Sequence, residues 1–260
     1  MPADPALVAR LRAAGSVFAE EEADLLTAAA PSPAALTTLV DRRVAGEPLE
    51  QVLGWTAFYG LRVRVEPGVF VPRRRTELLA REAVAVSRPG AVVVDLCCGS
   101  GAVGLAVATH VPGVELHAAD VDPVAVRCAR RNLRGRGQVH HGDLFEALPA
   151  RLRGHVDVLV ANGPYVPTDA IALMPPEARD HEPATALDGG PDGLAVLRRV
   201  VAGAPRWLAP GGRVLVECAD RQTVAITAAV RDAGLAPRLV HDDAVGAVVA
   251  VGVAADAASP

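Results

Sequence analysis

A glycine-rich turn and two acidic side chains have a spacing that suits a nucleotide-like ligand. The apolar run that ends at Asp95 is followed by Gly99, Ser100 and Gly101, after which a helical segment begins. Glycines in such a turn let the backbone approach a ligand closely, and the helix N-terminus offers free N–H groups. Asp120 ends the next apolar run, about 20 residues after the glycines, where a carboxylate can accept both hydroxyls of a ribose. This pattern predicts a cofactor site.

Two classes of cofactor fit these glycines. Gly99, Gly101 and Gly104 satisfy the G-x-G-x-x-G fingerprint of dinucleotide-binding proteins. Asp95, however, stands at the strand end in a D-x-x-x-G-x-G pattern, which resembles the first motif of S-adenosylmethionine-dependent methyltransferases. This resemblance favours S-adenosyl-L-methionine as cofactor, with S-adenosyl-L-homocysteine as product.

Four further residues belong to the predicted cofactor site or lie beside it. Asp143 and Leu144 follow a third predicted strand. Asp143 could accept a hydrogen bond from an adenine amino group, with Leu144 packed on the ring, although a solvated loop aspartate fits the spacing equally well. Cys97 and Cys98 lie inside the glycine turn, where small residues are tolerated. No second cysteine pair accompanies them, so we predict neither a metal site nor a reactive thiol.

A second polar cluster, Asn162-Gly163-Pro164-Tyr165, follows the apolar run 156–161. Polar residues at the carboxyl end of a strand in an open α/β sheet lie where ligands bind. A planar amide or amino nitrogen is a poor nucleophile because its lone pair is delocalised. The Asn162 side-chain oxygen and the Gly163 carbonyl could accept both N–H hydrogens and aim the lone pair at a methyl carbon. Pro164 and Tyr165 would supply flat surface for the planar group, so this tetrad is the candidate catalytic and substrate-binding element.

The elements that must position these residues follow two periodicities. Helical spacing covers residues 4–46, whereas alternating apolar and charged residues with a Pro67-Gly68 turn predict a hairpin within 58–71. From residue 76 onward, strands alternate with helices, which predicts a mostly parallel sheet covered on both faces. The segments 236–241 and 246–253 are joined by so short a turn that they must be antiparallel. The predicted helices of this part are 101–110, 123–134, 191–202 and 220–233.

Composition excludes several classes of function. The chain has 260 residues, a net charge of −4 and 26 basic residues that are all arginine, so a Schiff-base lysine and a P-loop lysine are excluded. The negative charge argues against a broad nucleic-acid surface. The four cysteines form no C-x-x-C pair, and neither a signal peptide nor an apolar run of membrane length stands out. We therefore expect a monomeric cytoplasmic enzyme that contacts no membrane and holds no metal.

Six stretches resemble, in order, the HemK/PrmC family of protein-(glutamine-N5) methyltransferases. They are GEPLEQVLGWTAFYG, VFVPRRRTELL, VVDLCCGSGAVG, the AAD that ends at Asp120, NGPY and HEPATALDGGPDGL. The resemblance implies an α/β fold of the class I S-adenosylmethionine-dependent type, with a Rossmann-like, mostly parallel sheet and an antiparallel last strand. It also implies an N-terminal helical substrate-recognition domain at 1–54, a hairpin linker at 55–75 and the methyltransferase domain at 76–260.

The resemblance also assigns roles by position. It places the methyl donor against residues 97–101, Asp120, Leu144 and Asn162, and the target glutamine against residues 162–165. Another element of the family, P-R-x-x-T-E, lies near the active site and is matched here by Pro72, Arg73, Thr76 and Glu77. The implied partner is a protein that carries the target glutamine, either a peptide-chain release factor or a ribosomal protein.

One departure from the family pattern keeps other functions open. Gly163 replaces the first proline of the family's N-P-P-Y tetrad, which retains the accepting carbonyl but gives up rigidity. One alternative is a methyltransferase for nucleobase amino groups of the adenine N6 type, because related tetrads serve that reaction. The other is a non-catalytic donor-binding protein that uses its helical domain for interactions.

Overall fold

The computed structural model describes residues 4–256, and its first four helices share a hydrophobic core. They are α1 (Pro5–Ala13), α2 (Ala19–Ala29), α3 (Pro33–Val44) and α4 (Leu49–Leu53). The side chains of Asp4 and Ser32 cap α1 and α3, and each cap is followed by a proline in the first turn. Leu11, Leu26 and Val40 are fully buried between the helices. The helical spacing in this part of the sequence thus corresponds to helices packed on one another.

The hairpin that follows differs from the predicted one. Its strands are β1 (Trp55–Phe58) and β2 (Leu61–Arg64), which pair antiparallel. A turn does lie at Pro67-Gly68, where the Val69 N–H donates to the Glu66 carbonyl at 3.0 Å, but the predicted strand at 69–71 is wrong. The hairpin turn lies at Tyr59-Gly60, whose φ angles of 49° and 74° are those of a two-residue type I′ turn.

Side chains explain why residues 69–71 form no strand. The Val69 carbonyl accepts a hydrogen bond from Gln51 Nε2 at 3.0 Å. The Val71 N–H donates to Glu182 Oε1 at 3.1 Å. Backbone groups that would pair with a second strand are thus taken by polar side chains from distant segments. Alternating apolar residues could not reveal this competition.

The remaining chain builds one seven-stranded sheet with helices on both faces. Its strands are β3 (Val92–Leu96), β4 (Glu115–Asp120), β5 (Gln138–His141), β6 (Val156–Ala161), β7 (Leu208–Cys218), β8 (Ala236–Asp242) and β9 (Ala247–Val253). Its helices are α5 (Glu77–Val86), α6 (Ala102–His110), α7 (Pro123–Asn132), α8 (Pro176–His181), α9 (Ala184–Leu187), α10 (Ala195–Gly203) and α11 (Thr223–Asp232). The order is β5-β4-β3-β6-β7-β9-β8, and β9 runs in the direction opposite to the other six strands. The predicted α/β fold is confirmed.

Two hydrophobic clusters cover the two faces of this sheet. Successive residues of β3 point to opposite faces, so Val93 joins the cluster that includes Leu79 of α5, and Val94 joins the one that includes Leu197 of α10. Because both faces are buried, the central strands are apolar throughout rather than alternating. This explains why continuous apolar runs marked them in the sequence.

The helices agree with the predicted ones except near their starts. Helix α10 begins at Ala195 rather than 191, because Asp192 turns the chain by accepting the Leu194 N–H at 3.1 Å. Helix α11 begins at Thr223, after a 3₁₀ turn at Asp220–Gln222. Within residues 4–256, no helix combines the length and the hydrophobicity that a membrane span requires.

The strand order sets the position of the site. The chain leaves β3 for β4 and β5 on one side and returns to β6 on the other, so a topological switch point lies between β3 and β6. Leu96 pairs with Ala161 in this register. The glycine turn after β3 and the tetrad after β6 therefore begin side by side.

Candidate active site

A cavity of about 400 Å³ opens at the carboxyl ends of β3, β4 and β6. It brings together all but two of the predicted site residues, although they come from five separate segments of the chain. Those that line it are Arg73, Thr76, Asp95, Cys97, Cys98, Gly99, Ser100, Asp120, Asp143, Leu144, Asn162, Gly163, Pro164 and Tyr165. The two that do not line it are Gly101 and Glu77.

Gly101 shapes the turn after β3 from behind the cavity. It has a φ of 78°, and its N–H donates to the Cys98 carbonyl at 2.7 Å. A Cβ added at Gly101 would lie 3.1 Å from the Leu133 side chain, so only glycine lets α6 and α7 approach this closely. At Gly99, by contrast, an added Cβ would have no neighbour within 4 Å. Gly99 therefore faces open cavity.

Asp95 fastens the start of α6 to the end of β3. Its side chain is buried, and Oδ2 accepts the Gly104 N–H at 2.9 Å. Burial raises the pKa of Asp95 to about 7, against the opposing effect of the Gly104 hydrogen bond. The carboxyl borders the cavity, but its hydrogen bond serves the turn.

Asp120 presents a carboxylate at the end of β4. Oδ2 accepts the Gly99 N–H at 2.8 Å and Oδ1 accepts the Asp122 N–H at 2.9 Å. Burial raises the pKa of Asp120, while both backbone hydrogen bonds oppose that rise. Each oxygen keeps a lone pair after these contacts, so both could accept hydroxyl hydrogens from a ribose in the cavity.

Asp143 and Leu144 line the part of the cavity that includes the glycine turn and Asp120, which we call the donor half. Asp143 Oδ2 forms an ion pair with Arg199 Nη2 at 2.7 Å. Leu144 is buried and has a φ of 47°, a left-handed conformation that non-glycine residues adopt rarely. This bend turns residues 143 and 144 toward the cavity. Both partners of this ion pair are about half exposed, so Asp143 lines the cavity and also contacts solvent.

The two cysteines of the turn are neutral thiols. Burial raises the pKa of both Cys97 and Cys98, and the nearby carboxylates of Asp95 and Asp120 raise them further. A thiol acts as a nucleophile only as the thiolate. Their small side chains leave room in the cavity. Cys97 has a φ of 53° and lines the cavity together with the glycine turn and the tetrad.

Asn162 is the first residue of the tetrad, and residues 162–165 form the part of the cavity that we call the acceptor half. Its Nδ2 donates to the Thr76 hydroxyl oxygen at 3.2 Å. This bond fixes the plane of the amide and turns the opposite side, with Oδ1, away from Thr76. Oδ1 is thereby available as an acceptor, which is what the tetrad chemistry requires.

Gly163 is closely surrounded by side chains. A Cβ at this position would lie 3.1 Å from Leu197 Cδ2 and 3.4 Å from Val196 Cγ1, both on α10. The Cys97 sulfur would be 3.6 Å away. A Cβ would therefore touch three side chains, and the Leu197 side chain would have to shift by a few tenths of an ångström to admit it. Packing from α10 therefore restrains a backbone that lacks a proline ring.

Tyr165 is held by Glu217, a residue that the sequence analysis did not find. The phenol donates to Glu217 Oε1 at 3.0 Å, and Arg75 Nε reaches the same oxygen at 3.3 Å. The Arg75 guanidinium also lies 5.3 Å from the centre of the tyrosine ring. Burial raises the pKa of both Tyr165 and Glu217. The sequence signal for Glu217 is weak: one acidic residue within an otherwise apolar run at the end of β7.

Arg73 joins the acceptor side to the segment that covers it. Its guanidinium binds both oxygens of Glu182 at 2.7 Å, and Glu182 is itself buried. The residues after Glu182, including Pro183 and Leu187, line the cavity. The HEP stretch thus forms a cover over the site, and Glu182 serves as its anchor.

Glu77 serves the hairpin instead of the cavity. Its Oε1 accepts the Tyr59 N–H at 2.8 Å, within the type I′ turn. The prediction that Glu77 contacts the substrate is therefore not supported by its position. Its neighbour Thr76 points the other way, toward Asn162.

The residues of the donor half fit S-adenosyl-L-methionine. A carboxylate with two free lone pairs, an open glycine and a helix N-terminus converge on one side of the cavity. Asp120 would hold the ribose hydroxyls, and Gly99 would border the amino-acid part of the donor. Leu144 supplies an apolar wall for a ring.

Comparison with known proteins gives concordant results. The methyltransferase small domain family matches residues 60–174. The release factor glutamine methyltransferase of Streptomyces coelicolor is 44% identical over 189 residues, which cover 71% of this chain and 67% of that protein. The enzyme of the same name from Mycolicibacterium smegmatis is 42% identical over 235 residues, or 83% of each chain.

A third relative bears a different name. The 4-amino-L-phenylalanine/4-methylamino-L-phenylalanine methyltransferase of Streptomyces pristinaespiralis is 38% identical over 214 residues, which cover 79% of this chain and 73% of that protein. All three relatives are methyltransferases whose named acceptor carries nitrogen on a planar group. Identity of this extent over most of the chain confirms the resemblance, and the chain belongs to the release factor glutamine methyltransferase family.

Proposed function

We propose that this protein transfers a methyl group from S-adenosyl-L-methionine to the side-chain amide nitrogen of a glutamine in a peptide-chain release factor. Two relatives bear the name of this activity, and the match with this chain covers 67% and 83% of their lengths. The cavity supports the proposal because its donor half and its acceptor tetrad meet at the switch point of the sheet.

One observation carries the proposal: the orientation of Asn162. Its Nδ2 is engaged by Thr76, so Oδ1 is the atom left to face an acceptor in the cavity. An amide NH₂ group needs acceptors, and Asn162 Oδ1 together with the Gly163 carbonyl provides two of them. If the Asn162 amide were flipped, its NH₂ group would face the NH₂ group of the substrate, and no hydrogen bond could form between them.

The residues of this chain bind and aim the nitrogen. When bound, S-adenosyl-L-methionine would supply a sulfonium-activated methyl group and leave as S-adenosyl-L-homocysteine, while the methylated nitrogen would lose one N–H proton to solvent. Asn162 and Gly163 hold the NH₂ group so that its lone pair faces the donor half. Pro164 and Tyr165 pack against the planar amide and exclude water. Positioning of this kind can lower a barrier by several kcal/mol without a catalytic acid or base.

The substrate assignment also gives a role to the N-terminal part. We assign residues 1–54 to substrate recognition, 55–75 to a linker and 76–260 to catalysis. The proposal rests on the separate hydrophobic core of α1–α4 and on the cover that Glu182 anchors beside them. Arg43 of α3 also reaches Glu177 of α8 at 3.1 Å, which joins the helices to that cover. We further propose a monomer in the cytoplasm, where the free cysteines would stay reduced.

The test is methylation of a purified release factor from the same organism. We expect mass spectrometry to find one added methyl group on one glutamine, and none when that glutamine is replaced by glutamate. Asn162→Ala should yield no product while binding the donor in calorimetry. A wild-type enzyme that binds the donor but leaves the release factor unmodified would reject this substrate.

A second candidate acceptor is an aromatic amine of low molecular weight. The relative from Streptomyces pristinaespiralis, by its name, methylates the amino group of an amino-phenylalanine. An aryl NH₂ group presents the same planar pair of N–H donors to Asn162 and Gly163. Incubation with 4-amino-L-phenylalanine in the same assay separates the two acceptors. The relatives do not favour the nucleobase alternative, since none of the three is named for a nucleic-acid substrate.

A further inference from the structure

Gln222 is a buried polar side chain for which the chemistry above has no use. It ends the 3₁₀ turn that follows β7, and only 4% of its surface is exposed. Burial of an amide destabilises a fold unless its polar atoms find hydrogen-bond partners. Both polar atoms of the Gln222 amide have such partners, and one of these partners belongs to the tetrad.

Three backbone groups fix the orientation of the Gln222 amide. Its Oε1 accepts the Ala219 N–H at 2.9 Å. Its Nε2 donates to the Tyr165 carbonyl at 2.9 Å and to the Asp192 carbonyl at 3.0 Å. A backbone N–H can only donate and a carbonyl can only accept, so a flipped amide would lose all three hydrogen bonds. The amide therefore has one stable orientation, in which Nε2 holds the Tyr165 carbonyl.

Tyr165 is consequently held at both of its ends. Its phenol donates to Glu217 Oε1 at 3.0 Å, and its carbonyl accepts from Gln222 Nε2 at 2.9 Å. Glu217 lies near the end of β7, and Gln222 lies in the turn that follows this strand. The phenol contact fixes the tip of the side chain, whereas the carbonyl contact fixes the backbone from which the ring projects. The position of the ring in the cavity depends on both.

The loop that bears Asp192 packs against the same part of the tetrad. Gly193 has a φ of 76°, and a Cβ added there would collide with the Tyr165 carbonyl oxygen and lie 2.5 Å from Gln222 Nε2. A Cβ added at Gly189 would lie 2.7 Å from the Pro164 carbonyl oxygen. Only glycines let this loop approach the tetrad so closely. Gln222 therefore lies where the tetrad, the loop and the end of β7 meet, and it forms hydrogen bonds with all three.

We propose that Gln222 is a positioning residue of the acceptor site, which places the Tyr165 ring against the planar amide by fixing the Tyr165 carbonyl. This proposal rests on the proposed function, since it concerns the same acceptor site. Gly163 leaves the first half of the tetrad without a proline ring, and the Gln222 amide restrains the last residue of the tetrad. Gln222 does not line the cavity, so it acts on the substrate only through Tyr165.

The first test replaces the amide by a side chain of similar length, Gln222→Met. We expect kcat for the glutamine substrate to fall about 10- to 100-fold, because a displacement of about 1 Å can cost about 100-fold in rate. The dissociation constant of the donor should stay within about twofold of wild type, because Gln222 contacts the tetrad and not the donor half. A kcat per folded molecule within about twofold of wild type would overturn the proposal. If Q222M does not fold, Gln222→Asn replaces it, since the shorter amide cannot reach both carbonyls.

A double-mutant cycle tests whether Gln222 acts through the ring of Tyr165. Tyr165→Ala removes the ring but keeps the carbonyl that Gln222 binds. If Gln222 serves to place the ring, Gln222→Met should lower kcat little further once the ring is gone. Multiplicative losses of kcat would mean that Gln222 acts on another part of the site, contrary to the proposal.

A measurement without turnover distinguishes this proposal from the proposed function. The chain has two tyrosines, Tyr59 and Tyr165, so protein labelled with ¹³C-tyrosine gives two sets of ring signals. The signals of Tyr165 can be assigned by their loss in Tyr165→Phe. We expect them to shift or broaden in Q222M, while those of Tyr59 stay in place. Unchanged Tyr165 signals would overturn the positioning role, whichever acceptor the enzyme methylates.

A matched control separates positioning from the general loss of a buried amide. Gln51 is also 4% exposed, and its Nε2 donates to the Val69 carbonyl at 3.0 Å, but it lies on α4. Gln51→Met should lower the melting temperature and leave the ring signals of Tyr165 in place. Equal shifts of these signals in both variants would mean that they report a general loosening of the fold, contrary to the proposal.

Discussion

The two halves of the cavity are built in different ways. The donor half consists of one turn after β3 and one carboxylate after β4, and its main contacts join backbone N–H groups to Asp95 and Asp120. The acceptor half depends on side-chain contacts between segments that are far apart in sequence, such as Asn162 with Thr76 and Tyr165 with Glu217. A cofactor that is the same in every family member can be held by backbone geometry. An acceptor site must orient one nitrogen, and this orientation depends on hydrogen bonds between side chains.

The comparison implies that changes in the donor half should alter affinity and changes in the acceptor half should alter rate. Removal of a donor contact weakens binding of a molecule that is still aligned when bound. Removal of an acceptor contact leaves both molecules bound but misaligned. Variants in each half can therefore break or sharpen the distinction.

The largest expected effect is that of Asn162→Ala. The change removes the oxygen that accepts one N–H of the acceptor, so kcat should fall about 1,000-fold or more. The dissociation constant of the donor should rise less than tenfold. Rapid-quench kinetics with a labelled donor and calorimetry measure the two quantities.

Asn162→Asp is the matched control for this prediction. It keeps an oxygen toward the cavity but replaces the Nδ2 donor that Thr76 accepts. We expect a rate between those of wild type and Asn162→Ala. A donor affinity that falls as far as the rate in Asn162→Ala would show that the two halves are not functionally separate.

Asp120→Ala should give the next largest effect, and on affinity. The carboxylate that would hold the ribose is lost, and charged hydrogen bonds of this kind contribute about 1.5–3 kcal/mol each. The dissociation constant of the donor should rise about 100-fold, whereas kcat at saturating donor should fall less than tenfold. Asp143→Ala, whose carboxylate already pairs with Arg199, should weaken binding less. A collapse of kcat at saturation would place Asp120 in the chemistry instead.

The difference between the halves also explains what the sequence could predict. The fold and the donor turn were predictable, because apolar runs of strand length and the spacing of Gly99, Gly101 and Asp120 are local patterns. The tetrad was predictable as a cluster of four adjacent residues. Its supports were not, because Glu217 reaches Tyr165 across 52 positions of sequence. No periodicity encodes such a contact.

Two differences between the predictions and the structure have the same origin. Glu77 shares a motif with Thr76, yet a hydrogen bond to the Tyr59 N–H turns it toward the hairpin. The predicted strand at 69–71 fails because Gln51 and Glu182 compete for its backbone groups. In both cases a side chain from a distant segment outweighs the local pattern.

Asp95, in the donor half, should also make the free energy of unfolding depend on pH. Burial raises the pKa of Asp95 to about 7 from its usual 3.8, so between these values the folded protein holds a proton that the unfolded chain has released. Asp95 therefore stabilises the fold fully below pH 4, and this contribution is lost as the pH rises through about 7. The slope should reach about 1.4 kcal/mol per pH unit at most.

Asp95→Asn isolates that contribution. The amide cannot titrate, while its oxygen can still accept the Gly104 N–H. Urea unfolding from pH 4 to 8 measures the free energy of unfolding of both proteins. The value for wild type minus the value for D95N should decline as the pH rises. A difference that grows with pH would mean that the carboxyl is charged in the folded protein, with the Gly104 hydrogen bond outweighing burial.

The smallest expected effect tests the acceptor half where it departs from its family. A Cβ at position 163 would lie 3.1 Å from Leu197 Cδ2, so Gly163→Ala should lower the free energy of unfolding by about 1 kcal/mol through overpacking. If packing from α10 already restrains the tetrad, kcat should change less than threefold. The double variant with Leu197→Val should lose less stability than the sum of the two single variants. An increase in kcat of tenfold or more in Gly163→Ala would instead show that the glycine leaves the tetrad loose, because a stiffer backbone would then improve the alignment that α10 fails to provide.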